Sequence, residues 1–75
     1  MITIYTNNRV SLDGRDTGLY VTQAPEGTRV YDTHGNTLAM PAQRYSLASN
    51  NPASGVPGRQ QFAADLRALL ATLAR

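Results

Sequence analysis

Ile2 and Ile4 alternate with Thr3 and Tyr5 at the start of the chain, the period-two pattern of a strand with one apolar and one polar face. The alternation recurs down the chain. Val10 and Leu12 oppose Arg9 and Ser11; Leu19 and Val21 oppose Tyr20 within 18–22; Val30 opposes Arg29 and Tyr31 within 28–32; Leu38 and Met40 share one side of 37–40. Between these runs stand Asn7-Asn8, Asp13-Gly14, Pro25-Glu26-Gly27 and His34-Gly35-Asn36, residues that accept positive φ or fix a reversal. Pro41 closes the last run. The pattern predicts four to five short antiparallel strands joined as a meander. Residues 43–48 continue the alternation with Tyr45 and Leu47, which suits either a final edge strand or an irregular segment on the sheet, with Tyr45 as a lid over the seam between sheet and helix.

The period then changes. Phe62, Leu66, Leu69, Leu70 and Leu73 recur at spacings of three and four, an arc of about 100° on a helix. Gln, Ala, Leu and Arg dominate 59–75, so propensity agrees with periodicity. Ahead of it, 49–58 reads SNNPASGVPG, with two prolines and two glycines, and is a connector. A helix over 59–75 would be roughly 25 Å long. Its Phe/Leu ridge needs an apolar partner, and Ile2, Ile4, Val10, Leu12, Leu19, Val21, Val30, Leu38 and Met40 supply one. The expected architecture is α+β: one domain over 1–75, with a small antiparallel sheet in 1–48 and a single C-terminal helix packed across one of its faces. Ala64, Ala68 and Ala71 fall roughly opposite the leucines. They would admit a second helix or simply reflect helix propensity, and with so small a core a homodimer is one expected state.

The chain has 75 residues and no cysteine, which removes disulfides, thiolate metal sites and cysteine nucleophiles. No apolar run approaches the roughly 20 residues needed to span a bilayer, and no secretory leader pattern is present, so a cytoplasmic protein without membrane association is expected. All seven basic residues are arginine and the net charge is +2. Four arginines balance four acids in 1–58, so the excess lies in 59–75, where Arg59, Arg67 and Arg75 face only Asp65. No basic run accompanies them. Such a distribution neutralises few phosphates at once and makes nucleic acid the second choice of partner.

Candidate chemistry is sparse. His34 is the only histidine. An enzymatic reading would require it to converge with Asp32 and Asp16 in a cleft, and transition-metal ligation has too few donors. Residues 13–18, DGRDTG, resemble only the opening of a calcium loop, because residue 24 is alanine where the closing glutamate belongs. No GxxxxGK, GxGxxG or GxSxG pattern occurs. No catalytic residue, cofactor or metal is therefore expected. Tyr5, Tyr20 and Tyr31 fall with Arg9 and Arg29 on the strand face opposite the aliphatic residues. Arg15 and Asp16 belong to a polar tip bracketed by Asp13-Gly14 and Gly18. Tyrosine and arginine combine apolar area with a polar end and are enriched where proteins meet. The leading expectation is a non-catalytic protein-binding module using Tyr20, Tyr31, Arg29, Tyr5, Arg15 and Asp16, for instance a phage or mobile-element accessory protein that occludes a larger partner. The alternative is a small basic nucleic-acid-binding or regulatory protein using Arg59, Arg67 and Arg75, with bases stacked on the sheet-face aromatics.

Overall fold

In the computed structural model, which describes residues 2–47 and 56–73, the alternating runs form one five-stranded antiparallel sheet in the order β1-β2-β3-β4-β5. The strands are β1 (Ile2–Ile4), β2 (Arg9–Leu12), β3 (Arg15–Ala24), β4 (Gly27–Tyr31) and β5 (Thr37–Leu38). Each follows its predecessor through a hairpin. The helix α1 spans Arg59–Leu73. The expected α+β architecture, an antiparallel meander with one C-terminal helix, is the one observed. Of the expected connector over 49–58, only 56–58 is described, and Ala48, Ala74 and Arg75 also lie outside the described residues.

The third strand begins three residues earlier than the alternation predicts. Asp13 and Gly14 have φ of 54° and 82°, the positive pair that a two-residue hairpin turn requires. Leu12 therefore pairs with Arg15 and Ser11 with Asp16 directly after the turn, while Val10 pairs with Leu19. Thr17 and Gly18 are the extra residues of a bulge opposite the Val10/Ser11 step. Thr17 Oγ1 donates to the Val10 carbonyl at 2.7 Å and accepts from the Leu19 amide at 3.1 Å, so the bulge is closed by its own hydroxyl. Two extra residues preserve side-chain parity, and Leu19 and Val21 remain on the apolar face. The six-residue tip expected at 13–18 is thus a two-residue turn followed by paired strand.

Ile2, Val10, Leu12, Leu19, Val21 and Val30 are buried on that face, with Ile4, Leu38 and Met40 packed at its margin. Two pieces cover it. From α1 come Phe62, Ala63 and Leu66, all buried. The other is the segment 41–47, which is the irregular segment on the sheet rather than an edge strand, and Tyr45 is a core residue rather than a lid: Tyr45 is 1% exposed and Leu47 is also buried. Its backbone is tied to the sheet through Thr28, whose amide donates to Gln43 O at 2.9 Å and whose Oγ1 accepts from the Tyr45 amide at 2.9 Å. Gly27 lets this happen, since a Cβ there would stand 2.5 Å from Gln43 O. Ser46 then bridges in parallel to Gly58 at the start of the helix.

Because Tyr45 and Leu47 take part of the apolar face, α1 lies toward the β1 side and only its first half is seated. Leu69 and Leu70 are half-buried and Leu73 is 53% exposed, so the leucine ridge does not run along the sheet to its end as its periodicity predicts. Two arginines set the pose. Arg59 donates through Nη1 to Leu47 O at 2.9 Å and through Nη2 to Ile2 O at 2.7 Å. Arg67 reaches the β2–β3 turn and grips both carboxylate oxygens of Asp13, at 3.0 and 2.9 Å.

Candidate interaction face

The helix and the 41–47 segment occupy one side of the sheet, and among the described residues no element lies over the polar side. Strand register decides what that side presents. Arg9 pairs with Tyr20, and Tyr20 pairs with Tyr31. The Tyr5 amide donates to the Arg9 carbonyl at 2.9 Å, placing Tyr5 on the other flank of Arg9. Tyr5, just past the end of β1, consequently forms a row with Arg9, Tyr20 and Tyr31 of β2, β3 and β4, perpendicular to the strand direction. Thr22 and Arg29 pair in the neighbouring row. Tyr5 is 53% exposed, and Tyr20 and Tyr31 are half-buried.

Arg9 organises the row. Its Nε and Nη2 donate to the two oxygens of Asp16 at 2.8 and 2.7 Å, a fork-to-fork pair, while Nη1 donates to Tyr20 Oη at 2.7 Å. The guanidinium carbon lies 5.0 Å from the centre of the Tyr20 ring. Asp16 is held in turn by the Gly18 amide at 3.0 Å. The Arg9 bonds, helped by that amide, pull the Asp16 carboxyl down to about 2, and Asp16 with Tyr20 raises the Arg9 guanidinium further above its already high range. Arg29 has a looser partner, Glu26 at 3.3 Å, with both side chains about half exposed. The face therefore carries charges that are already paired within it.

The expected contact residues separate accordingly. Tyr5, Tyr20, Tyr31 and Arg29 share the open face, joined by Asp16 through Arg9. Arg15 does not join them: it pairs with Leu12, an apolar-face residue, and lies against the helix side of the hairpin. Arg9, the hub of the row, was legible as an outward strand residue, but its importance rests on the bulge that sets Asp16 opposite Ser11, within reach of the Arg9 guanidinium. Of the cationic alternative set, Arg59 is bonded to two main-chain carbonyls and Arg67 to Asp13, which raises the Arg67 guanidinium and holds the Asp13 carboxyl well below the usual carboxylate range. Arg75 lies outside the described residues.

His34, Asp32 and Asp16 do not gather into a site. Asp32 Oδ1 accepts from the backbone amides of His34 and Asn36, at 2.8 and 2.9 Å, and shapes the β4–β5 turn. The Asn36 amide is the main cause of its lowered pKa. Among the described residues, no three His, Asp or Glu side chains stand close enough to hold a metal ion. None of the described helices is long and apolar enough to cross a membrane. Comparison with family models, curated proteins and solved structures finds no match to this chain.

Proposed function

We propose that this chain is a non-catalytic protein-binding module whose partner seats on the Tyr5–Arg9–Tyr20–Tyr31 row. The observation that carries this reading is the row itself: three tyrosines and an arginine in register on a sheet face that no described element covers. Each tyrosine brings a large rigid area with a hydrogen-bonding tip and only two side-chain torsions to order on binding. Arg9 is fixed by Asp16 and Tyr20 before any partner arrives, which lowers the ordering cost of association. The internal pairing of Arg9 and Arg29 also favours a protein over a nucleic acid, because no uncompensated cation of that face remains for phosphate. Binding there would act by occlusion of a surface on a larger partner, a role suited to a small accessory protein of a phage or mobile element.

The test is site-specific photo-cross-linking in extract of the native host. A photoreactive residue replacing Thr22, on the open face, should yield an adduct with a discrete protein, and one replacing Ala68 on the helix should not. Tyr31→Ser should remove the adduct while the circular dichroism spectrum is unchanged. Adducts that persist in folded Tyr31→Ser, or that are the same from both positions, would reject this face.

A further inference from the structure

Six arginines fall within the described residues, and five of them have an acceptor: Arg9 has Asp16, Arg29 has Glu26, Arg44 has the Pro25 carbonyl, Arg59 has two carbonyls and Arg67 has Asp13. Arg15 accepts from Ser11 Oγ through its main-chain carbonyl at 3.1 Å, but its guanidinium alone among the six makes no hydrogen bond or ion pair. Its position is set by the β2–β3 turn. Strand parity places Arg15 and Thr17 on the helix side with Leu12, and Leu70 of α1 forms the facing wall. Together with Asp13 and Asp16 these residues line an open groove of about 600 Å³. Both acids are engaged in two-pronged bonds with other guanidiniums, Asp13 with Arg67 and Asp16 with Arg9, so neither is left to answer Arg15.

We propose that this groove is a second binding site, which takes a peptide segment bearing a single carboxylate next to an aliphatic side chain. Arg15 receives the carboxylate as a planar fork, and Leu70 with the edge of Leu12 receives the aliphatic group. Asp13 and Asp16 stay bonded to Arg67 and Arg9, so Arg15 is the one guanidinium lining the groove that is left to be answered, and a single carboxylate, from a glutamate, an aspartate or a chain terminus, is the group that matches its charge and planar fork. The site touches the Arg9 clip through Asp16 but uses none of the three tyrosines, and it does not rest on the function proposed for their row.

The experiment is an NMR titration of the isotope-labelled full chain with acetyl-Leu-Glu-Leu-amide and with its glutamine counterpart. With the glutamate peptide, saturating shifts are expected at the Arg15 side-chain Nε and the Leu70 methyls. Binding should be at least about tenfold weaker for the glutamine peptide and for Arg15→Gln, the loss of one charge-assisted fork. Arg15→Lys should recover part of it, and Tyr31→Ser should leave it unchanged. If Arg15→Gln alters the spectrum beyond its surroundings, Arg15→Lys and the peptide pair decide. Equal binding of the two peptides overturns the proposal. So do unchanged affinity in Arg15→Gln, shifts centred on Tyr20 and Tyr31, inorganic phosphate displacing the peptide more effectively than acetate, or the same groove shifts appearing with protein concentration alone, which would give the site to a second copy.

Discussion

At the scale of single residues, Tyr45 ties three parts of the molecule together. Its ring meets Phe62 edge-on, with centroids 5.0 Å apart and planes at 69°. Its hydroxyl donates to Asp65 Oδ2 at 2.5 Å and accepts from the Ala42 amide at 3.3 Å. Burial, reinforced by the Asp65 carboxylate, pushes the phenol up to about 12 from the ordinary 10.0. A raised pKa means that the fold favours the protonated form. The stabilisation is complete below about pH 10 and is lost as pH rises toward 12. Tyr45→Phe keeps the ring contact and removes the hydroxyl, so it should cost about 1–2 kcal/mol at pH 7 in urea unfolding. It should also lose less stability than wild type between pH 10 and 11.5, and an unchanged alkaline slope would show that another group titrates. The sequence places Tyr45 on the right side of its segment but not in the core, since its partners Phe62 and Asp65 are distant in the chain and alternation reads only neighbours.

At the scale of elements, α1 has an anchored half and an emergent half. Leu66 is 0% exposed, and Leu66→Ala should cost about 2–5 kcal/mol by leaving a cavity. Leu73 is 53% exposed, and Leu73→Ala should stay within about 0.5 kcal/mol of wild type. Comparable losses at the two positions in urea unfolding would mean that the whole ridge is seated. Periodicity identified all five ridge residues but not the depth of each, because depth depends on how much of the sheet the 41–47 segment covers. The β2–β3 hairpin follows the same logic. Asp13-Gly14 announced the turn, while the bulge at Thr17-Gly18 depends on bonds to Val10 and Arg9, which no local pattern encodes.

At the scale of the molecule, a net charge of +2 conceals a surface whose charges are mostly paired. Asp16 has its carboxyl pulled down to about 2, and the Asp13 carboxyl is also lowered. For a depressed carboxylate the stabilisation is full above its unfolded value and lost as pH falls through the folded one. The melting temperature should therefore drop between about pH 4 and pH 2, and the drop should be smaller in Asp16→Asn. Equal acid sensitivity in that variant would remove the Arg9 clip from the explanation. The meander and its two faces were legible because consecutive hairpins are local. The pairing of arginines was not, because it joins residues as far apart as Asp13 and Arg67. That distance also orders events during synthesis. All five strands have been made by Leu38, yet the side chains that cover their apolar face extend to Leu66. At about 5–20 residues per second, a nascent sheet would wait roughly 1–6 s with its aliphatic side bare, a window in which a ribosome-associated chaperone has something to hold.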